Sequence, residues 1–185
     1  MIPEKQREEE ALVLDFLQNG YANDSRPSHL KTSIVQALGI YNMNLLELVP
    51  RKDIFLESLD EVYVGDEKRE KIHHVIGKIP YDKLTGTAKA ELEHAIKAIM
   101  KEREQDFIEF FNKSQPLSTR MHSLELLPGL GKKAMWEIVE ERRGDPFLSF
   151  ADMKKRIKSI DPEKLVLKRV IKELSGDEKY SLFVK

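Results

Sequence analysis

The sequence predicts an α+β fold, with a small antiparallel sheet or barrel first and helices after it. Three observations predict this. Up to Tyr81 short apolar segments are separated by turn residues, whereas beyond Tyr81 apolar residues recur at three- and four-residue steps, and Asn112-Lys113-Ser114-Gln115-Pro116 interrupts that helical pattern. A switch of period marks a change from strands to helices, because side chains alternate every two residues in a strand and every 3.6 in a helix.

The expected strands are Leu12 to Leu17, closed by Asn19-Gly20; Ser33 to Tyr41; Leu45 to Val49, after the turn-forming Asn42-Met43-Asn44; Glu61 to Val64, closed by Gly65-Asp66; and Lys71 to Ile79. In Glu61-Val62-Tyr63-Val64 the alternation turns Val62 and Val64 inward and Tyr63 away, and in the last strand Ile72, His74 and Ile76 oppose His73, Val75 and Ile79. Next comes one long helix, from Thr85 or Thr87, where a hydroxyl can cap, to Asn112, carrying Leu92, Ile96, Ile99, Met100, Phe107, Phe110 and Phe111 on its apolar stripe. Pro116 cannot continue it, so the domain boundary is expected there, with domains of residues 1–113 and 117–185.

Short helices are expected over Thr119 to Leu127, Lys132 to Arg143, Phe150 to Lys158 and Pro162 to Leu174, with Ser118 and Ser149 capping the first and third. Pro128-Gly129-Leu130-Gly131 forms the first turn, and Asp161-Pro162 starts the last helix with an N-cap and a proline at its first position. The tail from Tyr180 to Val184 is apolar enough to dock.

Composition removes several function classes. The chain has 0 cysteines, which excludes disulfides, thiolate metal sites and cysteine nucleophiles. Its first ten residues are too charged for a signal peptide and no apolar run reaches the roughly 18 residues a membrane helix needs, so a cytoplasmic protein with no membrane partner is expected. Charged residues at 34% are a bias shared with thermophile proteins. The net charge of −1 is unevenly spread: from Met121 to Lys185 there are 14 Lys and Arg against 11 Asp and Glu, so any polyanion would meet the C-terminal part.

The stretch Leu124-Glu125-Leu126-Leu127-Pro128-Gly129-Leu130-Gly131-Lys132-Lys133-Ala134 carries the chemistry. A helix ends at a proline, a Gly-x-Gly turn follows, and a new helix opens with two lysines. Such a turn presents free amides, the positive end of a helix dipole and two full charges to one point, which suits a phosphate. The candidate site is therefore Gly129, Leu130, Gly131, Lys132 and Lys133, contacting backbone without reading bases.

This stretch resembles the helix-hairpin-helix motif of non-sequence-specific nucleic-acid-binding proteins, whose hairpin also reads Leu-Pro-Gly-hydrophobic-Gly before a helix. The last two helices look like a second copy, entered through Phe147, Phe150 and Met153, but its turn reads Ser159-Ile160-Asp161 and Asp161 would repel a phosphate. That copy is expected to be structural. Across most of its length the chain is similar to the archaeal domain of unknown function 655 family, through Leu45-Leu46-Glu47-Leu48, Val62-Tyr63-Val64-Gly65, Phe107-Ile108-Glu109-Phe110-Phe111-Asn112 and the hairpin. The resemblance implies an OB-like β-barrel for the N-terminal part and an all-α helix-hairpin-helix domain after it. It also implies RNA in preference to DNA, with the barrel face as a second candidate surface; the rival reading, a protein-interaction module within a larger nucleoprotein complex, is favoured by the near-neutral net charge of −1.

Other motifs have plainer expectations. Gly131-Lys132 is not a nucleotide-binding P-loop, because Leu126 stands where its first glycine would and Lys133 replaces its hydroxyl residue. His73 and His74, adjacent on a strand, are expected to diverge, and with His29, His94 and His122 scattered no metal is expected. Trp136 is expected to pack on Phe147 or Phe150 rather than stack on a base, and Tyr41, Tyr63 and Tyr81 to pack in core or edge positions. No catalytic residue, cofactor or small-molecule substrate is expected, and the protein is read as a binding protein rather than an enzyme.

Overall fold

The computed structural model describes residues 7–176 and 178–185. Its first part holds β1 (Glu10–Leu17), β2 (Ile34–Gly39), β3 (Leu45–Pro50), β4 (Glu61–Tyr63) and β5 (Ile72–Lys78). All five pair antiparallel in one sheet of order β4-β1-β2-β3-β5. Register shifts at Val13/Asp15 in β1 and at Glu47/Leu48 and Val49/Pro50 in β3 add local twist, and the sheet curls. It stops at a half-barrel. The strands at its edges are β4 and β5, and no ladder joins them among the described residues, so the expected barrel is not closed.

Alternation sets the two faces. Ala11 and Val13 of β1, Val35 and Ala37 of β2, and Leu46 and Leu48 of β3 cluster with Leu56, Val62, Val64 and Ile72 on one of them. As expected, Val62 and Val64 are inside and Tyr63 lies only partly covered. On the other face Gln36, 0% exposed, donates to the Lys83 carbonyl (3.0 Å) and to the Tyr21 hydroxyl (3.1 Å) and accepts from the Thr85 amide (2.9 Å). Tyr21 in turn donates to Glu47, and burial together with that carboxylate pushes the phenol up to about 12. These bonds fix where α1 (Gly86–Glu102) begins, and Thr85 caps it, accepting from the Ala88 amide at 3.0 Å while donating to Asp15 at 2.6 Å.

The expected long helix is broken at Arg103, whose φ of −112° and ψ of 33° separate α1 from α2 (Glu104–Lys113). Arg103 is then held by a 2.6 Å bond to Asp106 one turn on. Beyond it the expected linker is an ordered hairpin, with β6 (Pro116–Ser118) paired to β7 (Met121–His122). The expected helix over Thr119 to Leu127 is replaced by that hairpin and a single 3-10 turn over Ser123–Leu126, capped by His122 and not by Ser118. The remaining helices stand where expected: α3 (Lys132–Gly144), α4 (Phe150–Arg156), capped by Ser149 at 3.0 Å, and α5 (Pro162–Leu174).

The chain forms two compact units. One reaches Ala95 and takes in Glu173–Lys185, and the other is Ile96–Lys172, so the stretch 114–116 lies inside the second. In the first, the buried Glu173 carboxylate accepts from the amides of Leu182 (2.7 Å), Phe183 (3.0 Å) and Val184 (2.9 Å), and the Lys185 amide donates to the Asn42 carbonyl at 3.0 Å. The tail docks through its backbone. In the second, the Arg142 guanidinium donates to the carbonyls of Phe111 (2.7 Å) and Ser114 (2.8 Å), which closes the C-terminus of α2, while Asn112 bonds the Phe147 backbone in both directions.

A fragment of residues 117–185 lacks Phe111, Asn112 and Ser114, and therefore the acceptors of Arg142 and the partner of Phe147. Expressed alone, it should show neither cooperative melting nor dispersed amide spectra, and extension back to Ile96 should restore both. A cooperative transition in the short fragment would contradict this division.

Candidate nucleic-acid interface

Between the 3-10 turn and α3, the chain turns through Leu127, Pro128, Gly129, Leu130 and Gly131. Leu127 is buried and anchors the turn, and the Leu130 amide bonds back to its carbonyl at 3.1 Å. Gly129 has φ +91°, a conformation that side chains with a Cβ resist. Gly131, the N-cap of α3, is different: its φ of −77° and ψ of 160° suit any residue, and a Cβ there would meet nothing within 4 Å. Neither backbone strain nor internal crowding calls for glycine at 131.

Its consequence is an open helix end. Without a side chain, Gly131 supplies no cap, and the first helical bond is from the Met135 amide to the Gly131 carbonyl at 2.9 Å. The amides of Gly131, Lys132, Lys133 and Ala134 have no protein acceptor among the described residues. Both lysines are exposed beside them, and the first turn of α3 carries no acid. All five expected site residues thus meet at one surface point. Four orphan donors, a dipole end and two cations favour an anion there.

The support beneath this turn is polar and buried. Arg169 on α5, 0% exposed, donates to the Leu126 carbonyl at 3.0 Å and so pins the residue before the turn. The Nδ1 of His122 accepts from the Leu124 amide at 3.1 Å, while Glu125 accepts from the His122 amide at 2.9 Å, a reciprocal box that holds the 3-10 turn. Burial, with Arg142 adding to it against Glu125, holds the His122 imidazole below its ordinary value.

The second turn repeats the first, with its end filled. Ile160 bonds back to Ile157 at 3.4 Å as Leu130 does to Leu127, and the Leu165 amide reaches the Asp161 carbonyl at 3.0 Å as Met135 does to Gly131. α3 and α5 are each 13 residues long. At the position of Gly131, however, stands Asp161, whose carboxylate accepts from the Lys164 amide at 3.3 Å and lies 3.8 Å from Lys154. The chain's own anion occupies that end.

Two expectations about side chains are corrected. Trp136 does not pack on Phe147 or Phe150: it is 56% exposed, and Arg156 lies over the Phe147 ring at 4.5 Å instead. Trp136 follows Lys132 by four residues and Lys133 by three, so one helix face carries all three. His73 and His74 do not diverge, because the shifted register of β5 against β3 brings their Nδ1 atoms to 2.8 Å. Among the tyrosines, Tyr41 is 38% exposed with the Lys185 ammonium 4.6 Å from its ring centroid, and Tyr63 and Tyr81 are partly covered. Among the described residues no group of three or more His, Asp or Glu could hold a metal ion, and no helix is long and apolar enough to cross a membrane.

The family profile described as "Protein of unknown function (DUF655)" matches residues 7–185. The chain belongs to that family. Within the family's archaeal members, an uncharacterised protein of Methanocaldococcus jannaschii is 45% identical over 177 residues, 95% of this chain and 79% of the relative. The crystal structure of Af1531 from Archaeoglobus fulgidus, described by its family model DUF655, is similar with a TM-score of 0.91 at 42% identity, covering 96% of this chain and 100% of that one. The half-barrel and helices described above are thus a family architecture.

The capping box of the 3-10 turn generates a pH prediction. His122 accepts through Nδ1 and cannot do so as imidazolium, so the folded chain binds this proton less readily than the unfolded one. The stabilisation is complete above the ordinary histidine value of 6.5 and is lost as pH falls through it towards the lower folded value. The thermal midpoint should fall between about pH 7.5 and pH 5 more steeply than in His122→Asn, which can cap without titrating. Equal pH slopes in the two proteins would contradict this.

Proposed function

We propose that this protein binds nucleic acid through the phosphate backbone, without reading sequence, at the turn formed by Gly129, Leu130, Gly131, Lys132 and Lys133. The observation that carries the proposal is Gly131. A residue that no internal contact and no positive φ requires to be glycine leaves a helix end uncapped, beside two lysines and with nothing within 4 Å of where its Cβ would be. A phosphate oxygen placed there would accept the Ala134 amide as Asp161 accepts the Lys164 amide at the second turn. The helix-hairpin-helix reading of the sequence is supported by this pairing of an open turn with a filled one.

Trp136 adds an aromatic surface one turn along the same face, and stacking of an unpaired base on it favours strands with splayed bases over intact duplex. RNA is preferred to DNA on the family resemblance, since an amide nest does not sense the 2′-hydroxyl. A protein-interaction module is the rival reading, favoured by the net charge of −1 and by Leu148, 70% exposed in the same unit. Salt dependence separates them, because phosphate contacts release counterions and weaken steeply with salt.

Titration of single- and double-stranded RNA and DNA at several salt concentrations tests the proposal. Lys132→Glu combined with Lys133→Glu should weaken binding to all sequences about equally and lower the log-log salt slope by about 2, one for each phosphate contact. Undiminished affinity in this variant, with its melting unchanged, would overturn the assignment.

A further inference from the structure

In the half-barrel unit a cleft of about 580 Å³ opens between β5, the turn joining β2 to β3, and the loop after β4. Its size is that of a small-molecule site, for which roughly 300–1,000 Å³ is usual. Leu46, Val64 and Val75 form its apolar wall, and Arg7, Arg69 and Lys78 line it as well. The phosphate-binding turn described above belongs to the other unit, so this cleft does not rest on that reading.

The decisive side chain is Asn44. It lines the cleft and is only 8% exposed. Its main chain is fully engaged, the amide donating to Glu8 at 3.3 Å and the carbonyl accepting from Gly39 at 2.9 Å. Its carboxamide has no hydrogen-bond partner among the described residues. Its polar atoms are open to the cleft, since among the described residues Ser123 Oγ is the fully buried side-chain polar atom without a partner, so a ligand can pair with this carboxamide in place of water.

The charges have one balance. Glu8 also faces the cleft, but its carboxylate is taken by the amides of Tyr41 (2.9 Å), Asn42 (2.9 Å) and Asn44, and it lies where a Cβ on Gly39 would stand. Asp66, 79% exposed, is met by Arg7 at 3.4 Å. Arg69 is fixed through Nε on the Gly65 carbonyl at 2.7 Å, which leaves its two terminal nitrogens without an acceptor among the described residues. A planar guanidinium held in this way suits a phosphate.

We propose that the cleft binds a nucleotide. Its heterocycle lies against Leu46, Val64 and Val75, its edge pairs with the Asn44 carboxamide, and its phosphate meets Arg69 and Arg7. A carboxamide offers a donor and an acceptor side by side, which matches adenine best. The same chemistry comes from a free mononucleotide or from the phosphorylated end of a strand.

Calorimetric titration of the full chain with adenosine monophosphate tests this. Saturable binding at one site is expected, with adenosine and ribose 5-phosphate each weaker by at least about tenfold, the loss of one charged or one bidentate contact. Asn44→Ala, which keeps both main-chain bonds, should weaken binding about tenfold, and Val75→Trp, which fills the cleft, should abolish it. Binding should persist when Lys132 and Lys133 are both replaced by Glu. A 5′-phosphorylated oligoadenylate that competes with the mononucleotide and binds more tightly assigns the site to a strand end, and one that binds no more tightly assigns it to the free nucleotide. The proposal is overturned if no saturation occurs below about 1 mM, if both cleft variants bind unchanged, or if binding vanishes with the lysines.

Discussion

An α-helix begins with backbone amides that its own ladder cannot satisfy, and each helix start must find an acceptor for them. The chain closes three of its starts with side chains: Thr85 for α1, Ser149 for α4 and Asp161 for α5. At α2 no side chain caps, but Glu104 and Asp106 in the first turn meet the dipole. At α3 there is neither a capping side chain nor an acid, and the two residues that open it are lysines. Among the described residues that start is left unfilled, and on the proposed function it is the point a phosphate would meet, because an exposed donor cluster gains most from an anion of outside origin.

What surrounds the turn makes its geometry firm. Arg169 is fully buried and reaches the carbonyl just before it, His122 and Glu125 lock the 3-10 turn leading into it, and Arg142 closes the helix that precedes β6. Each of these is a charged or titratable group taken from water, retained where an apolar residue would pack more simply. The half-barrel unit has a comparable economy, with Glu8 and Glu173 each accepting from three backbone amides to hold a turn and a tail.

Much of this was legible in the sequence, for physical reasons that differ by region. The strands from β1 to β5 were readable because alternation and turn residues agree, and α3, α4 and α5 because proline, glycine, serine and aspartate punctuate them. The five candidate residues are contiguous, so one turn brings them together without tertiary help. Arg103 was missed because a break made by backbone dihedrals within a continuous apolar stripe leaves no mark in residue type. The β6–β7 hairpin was missed because two and three residues are too few to show a period. Trp136 was misjudged because its exposure follows from which partners Phe147 and Phe150 find, and Phe147 finds Arg156. Asn44 gave no signal beyond its place in a turn, since only the assembled sheet sets it at the cleft.

The measurement that bears most directly on the open helix end is Gly131→Asp, which copies the second turn onto the first. A Cβ fits at 131 with nothing within 4 Å, so the carboxylate can cap α3 as Asp161 caps α5. The variant's melting temperature should be unchanged or raised, by about a few tenths of a kcal/mol in stability. With it should come a loss of at least about tenfold in affinity for RNA and DNA alike, since the variant places a negative charge where a phosphate would lie. A folded Gly131→Asp protein that binds nucleic acid as tightly as the parent would contradict the proposed phosphate site.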